Sequence, residues 1–518
     1  MIVRMGYYAT LLAGLALLHI RLADYAFDDA YLHVRIAEHL ITHGAPYFNR
    51  GEAIMGSSSP LWTLVLAAVF GTVGTDLRIV ALGNALFTTL CVWVYATLLR
   101  RSAGRPTCQA RYDMTASLVL VPILAPSSLG LMETPLALLS VGVAMLLVQQ
   151  RRPTAFVLFG MSMFLRLELA AVLVVFAAAA VIIRKIRPRE VVIFTAIGAA
   201  PFVAYDLYFF GTIVPAAVRA KSIGYSLTLD ETIWRLVPWS AGSGNTPALV
   251  LGLVASLAGG WYLLLRQQVD WTAVAAYLSG IVILTTYVAT RTFVFEWYIP
   301  LYTMLISWPI LAVLFAPTAP PPTRLTRLAA CAGALVILIL PAQVAFLRYV
   351  RAGIVNPAYA PAFAQGARVR RYREIGRELY RAFPNSTLLT SEVGGLGYVF
   401  RGRIQDGFGL ISPDALAYHP LRVPEERISG TIGAIPPAYI QAVSPPIIVS
   451  YDIFIEAFLR SDLVRRYVLI QLPVFTKADA ALAEAAGVSQ TLWGIQSLHV
   501  FVRRDMYDQL HYFSVAPR

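Results

Sequence analysis

Two adjacent carboxylates follow the first apolar stretch of the chain, in the run Tyr25-Ala26-Phe27-Asp28-Asp29-Ala30-Tyr31. Like charges a few ångströms apart in a partly desolvated place push one pKa upward. A carboxylate so tuned takes a proton from a sugar hydroxyl as general base, or stabilises the developing oxocarbenium charge where configuration is retained. Asp28 and Asp29 are therefore the catalytic candidates, with no ground in sequence for choosing between them. Further polar groups recur at corresponding ends of the apolar stretches: Arg35, Glu52, Glu133, Arg166 with Glu168, Arg219 with Lys221, and Arg291 with Glu296. Guanidinium groups grip phosphate in a bidentate way. Trp62 offers an aromatic face for a sugar. An acid pair among cations suggests an anionic, lipid-linked donor attacked by a hydroxyl, with phosphate as the leaving group.

Each feature has a plainer competitor. Asp28 and Asp29 also suit a helix start. Arg35 and Glu38 at i,i+3 suit a surface pair, and Arg166 with Glu168 suits a tie between short spans. Trp62, Trp297 and Tyr298 suit interfacial belts. His33, His39 and His43 lack tight metal-ligand spacing. A divalent cation, Mg²⁺ or Ca²⁺, at the acid pair is the one cofactor considered.

The elements that must position these groups are mostly apolar helices. Of 518 residues, 58% are hydrophobic and 14% charged, and mean hydropathy is +0.65. A soluble domain carries about 25% charged residues, so the chain reads as an integral membrane protein. About 20 apolar residues span the hydrocarbon core. Eleven stretches are candidates: 2–22, 78–99, 113–126, 131–149, 154–167, 169–183, 190–210, 246–265, 271–289, 298–316 and 328–347. The first reads as an uncleaved span. The run 60–73 decides the topology. If it does not cross, Arg4, Arg100, Arg101, Arg105, Arg111, Arg151, Arg152, Arg184, Lys185, Arg187, Arg189, Arg266, Arg324 and Arg327 all share one side. That side is cytoplasmic. Residues 60–73 are thus expected to lie in the outer interface, inside a long outer loop over 24–77 that opens with an amphipathic helix near 30–43. The net charge of +13 is accounted for by these topology signals, without nucleic acid.

Residues 348–518 change character: Pro and Gly separate alternating helix-like and strand-like stretches. Arg370–Phe383 reads as a basic amphipathic helix, Thr387–Phe400 as strand–turn–strand, and Ile447–Leu459 as strand then helix. One small extracytoplasmic α/β domain is expected there, after a membrane module over 1–347. Cys91, Cys108 and Cys331 offer no disulfide framework.

The run Asp28-Asp29-Ala30-Tyr31 with Arg35, then Phe48-Asn49, Gly51-Glu52, Gly56 and Ser59-Pro60-Leu61-Trp62, resembles the first outer loop of GT-C glycosyltransferases, the arabinofuranosyltransferase-like branch in particular. Gly130-Leu131-Met132-Glu133-Thr134-Pro135-Leu136 and Tyr208–Pro215 with Ala220-Lys221 are similar to further stretches of that branch. So are Glu392–Tyr398, Asp406, Gly409-Leu410 and Pro413-Asp414. Met55, Ser57, Leu167 and Leu169 depart from the branch's pattern. The resemblance implies an α-helical polytopic membrane protein with about eleven spans and an outer C-terminal domain. It also implies a polyprenyl-phosphate sugar donor, and a catalytic carboxylate at Asp28 or Asp29. The expectation is a bacterial inner-membrane enzyme moving arabinofuranose to an extracytoplasmic glycan or protein such as a pilin. A GT-C enzyme for another sugar such as mannose is the runner-up. A carrier of lipid-linked sugar is the third reading, though the inverted repeat expected of one is not evident.

Overall fold

The computed structural model describes residues 2–102, 109–224, 227–236, 270–315, 340–428, 431–492 and 497–507, with isolated positions at 254, 257–259, 261 and 495. Helices α1 (Ile2–Leu22), α2 (Asp28–His43), α3 (Pro60–Val73), α4 (Leu77–Ser102), α5 (Gln109–Ser128), α6 (Thr134–Gln149) and α7 (Ala155–Ser162) come first. There follow α8 (Leu169–Ile182), α9 (Pro188–Phe210), α10 (Ala216–Gly224), α11 (Leu229–Arg235), α12 (Trp271–Ala289), α13 (Ile299–Leu314) and α14 (Leu340–Ile354).

Five segments among the described residues are helical, long and apolar enough to cross a membrane: Ile2–Tyr25, Leu77–Ser102, Pro188–Phe210, Trp271–Ala289 and Glu296–Leu314. Others are shorter. The expected span 154–167 is an eight-residue helix followed by turns. The expected span 246–265 lies almost wholly outside the described residues, and 328–347 is described only from Leu340. The ambiguous run is one 14-residue helix, Pro60–Val73. At 1.5 Å per residue it is about 21 Å long, short of a hydrocarbon core of about 30 Å. Pro60 starts it, where a missing N–H costs nothing, and Gly74 ends it.

Beyond α14 come α15 (Phe363–Ala382), β1 (Thr387–Thr390), α16 (Gly394–Val399), β2 (Arg403–Asp406), α17 (Pro437–Val443), β3 (Ile447–Tyr451) and α18 (Asp452–Leu459). The chain then forms β4 (Tyr467–Pro473), α19 (Lys477–Ala485) and β5 (Ser497–Arg503). The strand order is β2-β1-β3-β5-β4. β1 pairs in parallel with β2 and β3, and β5 runs antiparallel to β3 and β4. β3 is buried along its whole length, as a strand covered on both faces must be. Tyr372, Ile375 and Leu379 of α15 pack on one face, and Tyr439, Ile440, Ile455 and Phe458 on the other. Thr387–Phe400 is a strand and then a helix, not strand–turn–strand. After β1 the glycines let the chain wind into α16 against α2, and the partner strand begins only at Arg403.

The apolar core of this domain runs on into the first loop: Leu18 and Leu22 of α1 and Leu32 and Ile36 of α2 belong to the same buried cluster as Tyr372, Leu396 and Val449.

Candidate active site

Helix α2 starts without a side-chain cap. Its first carboxylate caps another helix instead. Asp28 Oδ2 accepts the Gly394 N–H at 2.8 Å and Oδ1 accepts the Gly395 N–H at 2.8 Å. The first N–H groups of a helix have no partner within it, and a carboxylate suits them in both hydrogen bonding and charge. Seven residues on, and so on the same face of α2, Arg35 holds the other end of α16. Its guanidinium donates to the carbonyls of Gly397, Phe400 (2.9 Å) and Gly402 (3.2 Å), and to that of Phe48 (2.8 Å). Phe48 also stacks on it at 4.4 Å. Only glycines permit this approach. A Cβ on Gly394 would lie 1.8 Å from the Asp28 carbonyl oxygen, and one on Gly397 would lie 2.7 Å from the Phe48 ring.

Asp28 thereby sits past the carboxyl end of β1, at the start of the helix that follows it. In open α/β sheets that is where a ligand's anionic group is commonly held. In this molecule it holds a side chain of the chain's own first loop. Around it lie Glu392, bonded by Arg368 and by Tyr372 Oη (2.8 Å), and Tyr451.

Asp29 points elsewhere. It lines a cavity of about 80 Å³ with His33, Ser58, Ser59, Glu133, Arg166, Glu168, Lys221, Trp297 and Tyr298. Burial pushes its carboxyl above the usual aspartate range. The Lys221 ammonium opposes that shift and the Asp28 charge adds to it. Burial also pulls His33 down to about 4, so its ring is neutral at pH 7, and Nδ1 is held by Ser57 Oγ at 3.0 Å. Lys221 Nζ donates to Tyr298 Oη at 2.8 Å and lies 5.1 Å from the Phe295 ring centroid. Arg166 bonds Glu133 (2.9 Å) and Glu168, lies over Tyr298 at 4.2 Å, and reaches the Trp297 carbonyl at 3.3 Å. Tyr287 Oη donates to Glu168 at 2.9 Å. Glu133 Oε2 is buried and, among the described residues, has no hydrogen-bond partner. Ser59 Oγ bonds the Leu165 carbonyl at 2.7 Å, tying the first loop to the turn that carries Arg166.

The structure thus brings together Asp29, Glu133, Arg166, Glu168 and Lys221 from four separate stretches of chain. It does not bring in the rest. Arg35 and Asp28 face the C-terminal domain. Glu52 bonds Asn49 (2.9 Å) and Arg403 (2.6 Å) and lines a different groove. Trp62 is buried against Phe87 at 6.5 Å. Arg219 is exposed on α10 and Arg291 is exposed with a positive φ of 49°. Glu296 precedes Trp297 but does not line the cavity. Sequence reasoning passed over Ser58, Met132 and Ala217 as lining residues. Ser58 and Met132 carried a signal, since Ser58 sits between residues of the first-loop motif and Met132 beside Glu133 in the Gly130–Leu136 stretch. Among the described residues, no group of three or more His, Cys, Asp or Glu side chains is placed to hold a metal ion.

No protein-family model matches the chain, and no curated protein matches it. Among solved structures, it is similar to the arabinofuranosyltransferase AftD from mycobacteria, with 15% identity and a TM-score of 0.46 over 96% of this chain and 40% of that one. The chain therefore spans about two fifths of that protein's length. At that TM-score the likeness decides nothing about the chemistry.

Proposed function

We propose that the protein is a membrane glycosyltransferase of the GT-C type. Its donor is a polyprenyl-phosphate sugar, and its acceptor is an extracytoplasmic glycan or protein. The resemblance of the first-loop motif favours arabinofuranose. The cavity and the C-terminal domain would lie on the outer side of a bacterial inner membrane. The single observation that carries the reading is the placement of Asp29 with Lys221 in one small cavity beside apolar helices.

The roles follow from the groups. The donor phosphate lies at Lys221, whose ammonium offsets the charge that grows on the leaving oxygen. An acceptor hydroxyl attacks the anomeric carbon as the bond from that carbon to the phosphate oxygen breaks. The hydroxyl proton passes to Asp29 and the polyprenyl phosphate departs. A carboxyl held above the ordinary aspartate range is a stronger base once ionised. The unpartnered Oε2 of Glu133 accepts from a sugar hydroxyl, and Arg166 keeps Glu133 and Glu168 in place. Asp28 takes no part in proton transfer: it holds α2 to the C-terminal domain.

The test uses the full chain in lipid nanodiscs with polyprenyl-phosphate pentose, polyprenyl-phosphate hexose and a nucleotide sugar, each beside an oligosaccharide acceptor. Mass spectrometry should find pentose added from the lipid-linked donor. Hexose addition would replace arabinofuranose with the runner-up sugar. Transport of intact donor without transfer would overturn the enzyme reading.

A further inference from the structure

A larger cavity, of about 730 Å³, opens between the distal half of α2 and the C-terminal domain. Glu38, His39, Thr42 and His43 form one wall, the loop residues Asn49, Arg50 and Glu52 a second, and Arg401–Arg403 with Tyr380 a third. The transfer reaction just described leaves it without a role. It lies on a different flank of α2 from Asp29 and, at 1.5 Å per residue, about 15 Å further along the axis. The volume is that of a site for a sizeable small molecule.

The lining decides what such a ligand is. Apart from Pro384 and the Tyr380 ring it has no large apolar side chain, which excludes a lipid tail. Donors and acceptors alternate across the gap. Arg401 Nη1 meets Glu38 Oε2 at 2.9 Å and Arg403 Nε meets Glu52 Oε1 at 2.6 Å. Both arginines are about half exposed, at 44% and 51%, so a ligand can share their N–H groups. Carboxylates on the wall repel a bare phosphate but accept from hydroxyls. Four arginines against two glutamates leave a surplus of two positive charges among those six groups. Arg50 is exposed and, among the described residues, has no carboxylate partner. One loop links the two cavities: Asn49, Arg50 and Glu52 line this one, and Ser58 and Ser59 line that of Asp29.

We propose that this groove binds a saccharide chain bearing an anionic group. Its use rests on the transferase reading: the groove holds the acceptor glycan at units remote from the hydroxyl that reacts, and the loop 49–59 guides the chain toward Asp29. The acceptor is then a polysaccharide rather than an exported protein.

Binding is measured without turnover, by calorimetry on the full chain in nanodiscs of neutral lipid. The probes are an oligogalacturonate and a neutral malto-oligosaccharide of equal length, with phosphatidylglycerol vesicles as competitor. The acidic oligosaccharide should bind more tightly than the neutral one and more weakly as salt rises. Arg50→Ala should weaken it about tenfold, the scale of one charge-assisted hydrogen bond. Asp29→Asn should leave this binding unchanged. Loss of binding in Asp29→Asn would place the saccharide in the other cavity and overturn the proposal. So would absence of saccharide binding, indifference to Arg50→Ala, or displacement by the vesicles. Intact, Arg50-dependent binding in a protein that transfers no sugar would sustain the groove and defeat the transferase reading instead.

Discussion

Asp28 and Asp29 are the same residue type, one position apart on one helix, and they do opposite things. Asp28 is 9% exposed and spends both oxygens on backbone N–H groups of the C-terminal domain. Asp29 opens into a cavity with a lysine. Successive residues on an α-helix point about 100° apart, and here that turns Asp28 toward Gly394 and Gly395 and Asp29 toward the cavity. The difference teaches that the Asp28–Arg35 face of α2 holds the C-terminal domain, whereas the Asp29 face opens into the cavity where the reaction is proposed. On the first, both ends of α16 are satisfied. The second has polar atoms left over.

That division can be broken or sharpened by substitution. Arg35→Met strands four backbone carbonyls, each worth about 1–3 kcal/mol when left unsatisfied and buried. Stability should fall by roughly 3 kcal/mol or more, as read by denaturant or thermal unfolding. A stable variant with only a raised KM would make Arg35 a substrate group after all. Gly394→Ala forces a methyl into the Asp28 carbonyl, and overpacking of this kind costs about 1–3 kcal/mol. Turnover per folded molecule should fall with it, since α2 must shift. Unchanged turnover would sever the holding face from the reacting one.

On the reacting face, Lys221→Met tests the charge environment. The base works only when ionised, so activity is present above the Asp29 pKa and is lost as pH falls through it. Lys221 favours the ionised form, so removing it should move the acid limb of the kcat/KM profile to higher pH, besides weakening donor binding. A limb that stays in place would separate the two residues electrostatically. The smallest effect belongs to the holding side. Burial pushes Glu392 up to about 7, with Arg368 acting against it. Its folded value lies above the unfolded one, so its contribution to stability is complete below about pH 4.5 and is lost as pH rises through about 7. Glu392→Gln should gain on the wild type in thermal stability as pH rises from about 4.5 to about 7, and the gap should stay level above that. No change in the gap would show the network to be insensitive to that proton.

Much of this arrangement was legible in the sequence. Apolar stretches located many of the helices, and composition marked the change to a sheet-containing part after α14. Pro60 and Gly74 bounded a helix too short to span. The first-loop motif supplies Asp29, Ser58 and Ser59 to one cavity, which Glu133, Arg166, Glu168 and Lys221 also line. What was not legible depends on packing between distant segments. The Asp28 charge does add to the upward shift of the Asp29 carboxyl, but charge alone did not reveal that only Asp29 lines the cavity. Arg35 resembled a surface partner of Glu38, because nothing local reveals carbonyls more than 360 residues away. Glu392–Tyr398 read as part of a turn between strands, since its glycines serve close contact with α2 rather than a hairpin. Trp62 is a core residue because its helix lies on its neighbours with that face inward.

The most direct test compares Asp29→Asn with Asp28→Asn in the full chain, measuring transfer from a polyprenyl-phosphate sugar and thermal stability on the same samples. Asp29→Asn should lose at least about a hundredfold in turnover, the lower end for a general base, with its melting temperature unchanged. Asp28→Asn should melt lower and keep transfer in whatever fraction stays folded. A fully active Asp29→Asn protein, or a dead but fully stable Asp28→Asn protein, would contradict the account.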